Sequence, residues 1–294
     1  MTTQALPIEK ESSLRPAQGA SFGAWAPTPI QKLILVLAHH TPLGRGRGRR
    51  LAAAMLRRLR DGPIDYTLGG SPFRFDIRDN STDRQSLLHP GYNREEFEFL
   101  ADAMGEGGVF VDIGANVGFF SVKLAARCGA GCRVIAIEPN PVVLERLRFN
   151  TDAMRDRITV VDQAAGRAEG VARFQSGATN LGESRFDANG EIEVQVRPLQ
   201  SILQLQGVTR VDALKIDVEG FEDDVILPFF ATAPKTLWPK RIVIEFTARA
   251  DWKDDCIACL QDCGYVLSSK TRGNMLFELG DAATHRLAGS GPSR

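Results

Sequence analysis

What the chain lacks narrows its function before any motif is read. Neither charge is in surplus: 36 Lys and Arg balance 36 Asp and Glu, so no global basic field marks it as a nucleic-acid binder. No apolar run is long. Leu33 to Ala38 (LILVLA), the longest near the start, falls well short of the ~20 residues that cross a bilayer. His39-His40 and an arginine cluster follow it, unlike a secretory cleavage pattern. The chain is therefore expected to be cytoplasmic, with no transmembrane segment. Cysteine is scarce, and its count of five is odd, which argues against a complete disulfide framework. Cys256, Cys259 and Cys263 fall at helical spacing without the short knuckle and fourth ligand of a zinc site, so they read as small residues on a buried helix face. Internal repeats are also absent.

The remaining pattern divides the chain in four. Residues 1–30, rich in Pro, Ser, Gly and Ala without a period, read as a disordered arm. Residues 31–64 form an Arg-rich helical extension in two pieces, IQKLILVLAHH and RRLAAAMLRRLRD, broken by Pro42 and the run Gly44 to Arg50. Its arginines could touch phosphates or an anionic membrane, but without interleaved aromatics they read as a solvated face beside the main domain. Residues 65–280 hold that domain, and 281–294 a frayed tail. The domain opens with a hairpin turning at Gly69-Gly70 and a helix over Tyr92 to Met104. Regular β-then-α alternation follows and implies a parallel sheet. Its strands are expected at Val109–Ile113, Arg133–Glu138, Ile158–Asp162, Val211–Val218 and Arg241–Phe246, with Tyr265–Ser268 and Asn274–Leu279 closing it as an antiparallel pair. The stretch 167–196 reads as an insertion, and Phe221 to Phe230 is expected to open as a helix ahead of Pro234.

The most informative residues are VFVDIGANVGFFS, from Val109 to Ser121. A strand ends in Asp112, turns through Gly114-Ala115-Asn116-Val117-Gly118, and enters a helix, the geometry that binds nucleotide-like cofactors at a parallel sheet's carboxyl edge. The spacing is GxxxG, not the dinucleotide GxGxxG. A carboxylate about 4 Å from a pyrophosphate charge would cost roughly 4 kcal/mol at an effective dielectric near 20. S-adenosylmethionine brings a sulfonium and an ammonium instead, and the acid attracts them. Glu138, in Glu138-Pro139-Asn140 at the second strand's end, is placed to accept hydrogen bonds from a ribose diol. Its alternative role is a helix-start carboxylate before Pro141. The third strand ends in Asp162-Gln163-Ala164, where a side chain can meet the adenine amino group. Lys215, Asp217 and Glu219 alternate along one side of the fourth strand, opposite Leu214, Ile216 and Val218. Asp217 and Glu219, with Glu245 at the end of the fifth, are candidate catalytic acids, and candidate ligands if a divalent cation such as Mg²⁺ takes part. Lys215 has a purely structural alternative, neutralising an acid. His89 is an alternative base.

FVDIGANVGFFS, AIEPNP, the insertion with ATNLG, VDALKIDVEGFEDDVI and IVIEF together resemble the FkbM family of S-adenosylmethionine-dependent methyltransferases. The resemblance covers about 73–279. It implies a Rossmann-like α/β fold, a seven-stranded mostly parallel sheet in order 3-2-1-4-5-7-6 with strand seven antiparallel. It also implies O-methylation of a sugar, polyketide or other small acceptor. Asp112, Gly114, Asn116 and Gly118, with Ala115 between them, would line the methionine part of the cofactor. Glu138, next to Asn140, would take the ribose, Gln163 or Ala164 the adenine, and Asp217 and Glu219 would face methyl transfer. Where relatives show an acid after the tyrosine, this chain has Tyr92-Asn93, and Leu199-Gln200 stands for a Leu-Asp pair. The other classes weighed are an NAD-dependent oxidoreductase, a nucleic-acid modifier and a non-catalytic cofactor-binding regulator.

Overall fold

A computed structural model describes residues 20–175, 185–186, 190 and 192–280. The elements run α1 (Pro29–His40), α2 (Gly46–Leu59), β1 (Ile64–Leu68), β2 (Ser71–Phe75), α3 (Ser81–Leu88) and α4 (Arg94–Met104). The alternating core follows as β3 (Val109–Ile113), α5 (Phe119–Cys128), β4 (Arg133–Ile137), α6 (Pro141–Thr151) and β5 (Ile158–Val161). The insertion supplies β6 (Ala164–Ala165), β7 (Gly170–Gln175), β8 (Arg185–Phe186) and β9 (Ile192–Arg197). The chain returns to the core through α7 (Leu199–Leu205), β10 (Ala213–Ile216), α8 (Glu222–Thr232) and β11 (Arg241–Glu245). It closes with α9 (Cys256–Asp262), β12 (Tyr265–Lys270) and β13 (Asn274–Leu279).

The main sheet has seven strands in order β12-β13-β11-β10-β3-β4-β5, and only β13 runs against the rest. This is the order the family resemblance implies. Along β3 the side chains alternate between two buried faces, as period-two geometry demands. Phe110 joins the layer of α4, α5 and α6, whereas Val111 and Ile113 join that of α7, α8 and α9. Asp112 shares the Phe110 face, and parallel register sets Lys215 of β10 directly beside it. The insertion forms its own four-stranded sheet, β6-β9-β7-β8; its ATNLG segment and the tail 281–294 lie outside the described residues.

Two expectations need correction. The arm expected over 1–30 is anchored from residue 20 onward: the Gly23 and Trp25 amides donate to Asp65 Oδ2 at 2.7 and 3.0 Å, and Thr28 caps α1 in a reciprocal box with Gln31. The earlier residues of the arm are outside the described set. The arginine run expected to separate two helices is largely helical, because α2 starts at Gly46. The helix expected over Phe221 to Phe230 forms as α8, which runs through Pro228 to Thr232. One interior proline costs a helix about 3 kcal/mol, and Phe229 and Phe230, both buried beyond it, supply the packing that offsets this.

Candidate active site

The carboxyl ends of β3, β4, β10 and β11 open into a cavity of about 1380 Å³. Gly114 makes its floor. Its φ is +72°, and a Cβ there would lie 1.8 Å from the Asp217 carbonyl oxygen. Only glycine lets the turn after β3 pass so close beneath the loop after β10. Of the positions expected from sequence, Gly114, Asn116, Glu138, Ala164, Asp217, Glu219 and Glu245 all line this cavity. Asp112, Ala115, Gly118, Asn140 and Gln163 do not.

Asp112 changes the electrostatic argument. It is buried, its Oδ2 accepts from Ser121 Oγ at 2.7 Å, and Lys215 Nζ lies 3.9 Å from its Oδ1. The acid is turned into the domain beside a buried cation and does not line the cavity. Lys215 Nζ also donates to Asp217 Oδ2 at 3.1 Å. Burial works against the ammonium, but Asp217 and Asp112 outweigh it and hold its pKa above the usual lysine range. The structural alternative for Lys215, neutralising an acid, describes what it does here.

Glu138 sits at the end of β4 with both oxygens engaged: Oε2 accepts the Asn116 amide and Oε1 the Asn140 amide, each at 2.9 Å. Burial pushes its carboxyl up to about 7 against the opposing pull of those amides. Each carboxylate oxygen keeps a second lone pair for a hydroxyl. Asn116 is held at φ +51°, and its side-chain oxygen accepts from Asn80 Nδ2 at 2.7 Å. Asn140 caps α6, its side chain accepting from the Val142 amide. Both asparagines thus shape the turn and helix around Glu138.

At the other end, Glu245 Oε1 accepts from Thr247 Oγ1, while buried Oε2 has no hydrogen-bond partner. Burial, with help from Asp217 and Glu222, raises this carboxyl to about 7. Glu219 occupies the left-handed region at φ +53°. The loop holding it is organised by Glu222, which sequence reading passed over: its carboxylate accepts the Val218 and Gly220 amides and Trp252 Nε1. Its sequence signal was an acid in the first turn of a helix. Asp217, Glu219 and Glu245 do not assemble a metal-ligating group, and no such group of His, Cys, Asp or Glu occurs among the described residues.

Sequence reading also missed α3. Asn80 caps it, accepting the Thr82 and Asp83 amides, while Asp79 and Asp83 pair with Arg146 of α6. These ties, with the Asn80–Asn116 bond, fix Thr82, Arg84 and Gln85 on the cavity wall.

This strand order, a glycine turn after the central strand and an acid ending the next one are those of the class I methyltransferase fold. The chain belongs to the FkbM methyltransferase domain family, whose description matches residues 112–267, just over half of it. It is 28% identical over 272 residues to the 31-O-demethyl-FK506 methyltransferase FkbM of Streptomyces tacrolimicus, covering 79% of this chain and 97% of that one. It is 23% identical over 162 residues to the hexuronic acid methyltransferase AglP of Haloferax volcanii, covering 55% of this chain. The chain spans 65% of that relative's length, just under two thirds. A crystal structure of methyltransferase FkbM from Methylobacillus flagellatus KT aligns with TM-score 0.40 and 17% identity, over 85% of this chain and 58% of that one.

Proposed function

We propose that the protein transfers the methyl group of S-adenosylmethionine to a hydroxyl of a saccharide or other small acceptor. The observation carrying this reading is that Gly114, Glu138 and the Lys215-held Asp217 line one cavity. The residues fit the cofactor: the Gly114 turn, lacking a Cβ, packs against the Asp217 backbone to form the cavity floor, Glu138 would take the ribose, and Ala164 would flank the adenine. Two relatives bear the names of methyltransferases for a hexuronic acid and for 31-O-demethyl-FK506, which supports hydroxylated small molecules as the acceptor class.

When bound, the cofactor supplies a methyl carbon on a sulfonium; an acceptor oxygen takes that carbon as the C–S electron pair returns to sulfur. The alcohol must lose its proton. Asp217 receives it, with Oδ2 fixed by Lys215 and the other oxygen left for the hydroxyl. Glu245, with a carboxyl near 7 and an unpartnered oxygen, is matched to share that proton near neutral pH. Positioning and exclusion of water supply much of the remaining barrier reduction. No step runs through a divalent cation, because these carboxylates do not gather as ligands.

Calorimetric titration of the full chain with S-adenosylhomocysteine tests the cofactor half, with one molecule bound per chain expected. Absence of binding would remove the reading. Asp217→Asn should keep that binding and lose methyl transfer; undiminished turnover would take Asp217 out of its role. Turnover should also survive EDTA, and its loss there with recovery in Mg²⁺ would overturn the metal-free step.

A further inference from the structure

Six arginines line the same cavity: Arg49, Arg50 and Arg57 from α2, Arg84 from α3, Arg94 at the start of α4, and Arg272 in the β12–β13 turn. They converge from four separate parts of the chain onto one rim. Along α2 the cavity face reads Arg49, Arg50, Ala53, Ala54, Arg57. Two small side chains thus leave space between charges set about 12 Å apart along the helix axis.

None of the six pairs with an acid among the described residues. That contrasts with Arg74, Arg78 and Arg146 nearby in the sequence or fold, each of which meets an aspartate. Arg49 is half-buried, and its guanidinium is disfavoured by burial and then by Arg84, Arg272 and Arg50. The acids of this rim are occupied elsewhere: Glu95 accepts from Ser269 Oγ, and Glu96 from Thr271 Oγ1 and Asn274 Nδ2. Across the cavity, Asp217 is matched by Lys215. Like charges focused in a cleft raise the local concentration of the opposite ion, and guanidinium groups suit carboxylate and phosphate through paired N–H donors.

We propose that the acceptor is an anion: a hydroxylated saccharide carrying a carboxylate or phosphate, which the arginine rim holds while a free hydroxyl faces Asp217. The proposal rests on the methyl-transfer reading above and names its substrate class. The rim reads charge, and the sheet edge performs the chemistry.

The test uses the full chain saturated with S-adenosylhomocysteine and titrated with glucose, glucuronic acid and glucose 6-phosphate. At least one anion should bind about tenfold more tightly than glucose, and the stronger of the two identifies carboxylate or phosphate as the group read. The Arg49→Gln/Arg57→Gln/Arg84→Gln/Arg272→Gln variant should lose that preference while binding S-adenosylhomocysteine within about threefold of the parent. Arg127→Gln, an exposed charge outside the cavity, should leave the preference intact. Equal binding of all three sugars, no binding of either anion, or an unchanged preference in the fourfold variant would overturn the proposal. Failure of the parent chain to bind S-adenosylhomocysteine would instead strike the methyl-transfer reading beneath it.

Discussion

Replacing Lys215 with methionine keeps the stem of the side chain and deletes a buried charge between two acids. At an effective dielectric near 20, an ammonium 3.1 Å from Asp217 and 3.9 Å from Asp112 attracts them by about 5 and 4 kcal/mol. Burying the ammonium offsets most of that gain. Measured losses on removing one partner of a buried pair run to about 3–5 kcal/mol, because the other partner keeps its desolvation cost. Asp217, whose side chain is 35% exposed, can recover water. Asp112, at 1%, cannot. The expected destabilisation is therefore near the lower bound, about 3 kcal/mol, and it belongs mainly to Asp112.

The pH dependence carries the sharper test. Burial raises the Asp112 pKa in the folded chain even with Lys215 present. A carboxyl raised above its unfolded value binds its proton more tightly when folded, so stability falls as pH climbs. Without Lys215 the rise is larger, and the variant should lose up to about 1.4 kcal/mol more per pH unit while Asp112 takes up that proton on folding. Urea unfolding followed through Trp25, Trp238 and Trp252 at pH 5.5 and pH 8 measures both quantities. A deficit equal at the two pH values, or under about 1 kcal/mol at pH 8, would refute the claim that Lys215 compensates a trapped carboxylate.

Three further outcomes follow from other groups. Glu138, raised to about 7, should accept the ribose best when ionised, so S-adenosylhomocysteine affinity should climb from pH 6 to pH 8. Glu138→Gln should weaken binding roughly tenfold at pH 8 and flatten that slope, as calorimetry would reveal. Glu245 is likewise raised to about 7, so kcat should rise through neutrality, and Glu245→Gln should remove that limb of the profile while leaving S-adenosylhomocysteine affinity unchanged. Arg49→Gln relieves a charge that burial and three arginines oppose, so its thermal midpoint should rise at low salt, and the arginine part of that gain should shrink in 1 M NaCl. A lower midpoint at low salt would mean that Arg49 has a stabilising partner.

The parts legible in the sequence are those that local pattern alone determines. Val109–Ile113, Arg133–Ile137 and Arg241–Glu245 are short, mostly apolar runs bounded by turn residues, and they fold where that pattern puts them. The order of the seven strands came from the family resemblance, since parallel pairing leaves no local trace. Asp112 marks the limit. Its place at the end of β3 was readable, but its direction depends on Lys215, 103 residues later and opposite it only through sheet register. α3 escaped notice because Ser-Thr-Asp-Arg-Gln-Ser has little apolar period; its cap at Asn80 and its pairs with Arg146 hold it instead. The α2 arginines were visible as a run, yet only packing shows that Arg49, Arg50 and Arg57 face the cavity.

A net charge of zero conceals this arrangement, because residues 29–60 hold Lys32 and seven arginines without a single acid. The cavity therefore has an acidic sheet edge at one side and an arginine rim at the other. If the edge takes a cationic methyl donor, that donor's charge adds to the field at the rim, and acceptor affinity should depend on the cofactor's charge state. Sinefungin carries an ammonium where S-adenosylhomocysteine has a neutral sulfur, so the pair isolates that charge without turnover. One added charge on the order of 10 Å from the rim contributes about 0.4–1.7 kcal/mol for effective dielectrics between 80 and 20. Glucuronic acid or glucose 6-phosphate, whichever the rim prefers, should accordingly bind about two- to eighteenfold more tightly beside sinefungin at low salt. The difference should shrink in 0.5 M NaCl as screening shortens the field. Equal affinities beside the two cofactor analogues at low salt would show that the two walls act independently.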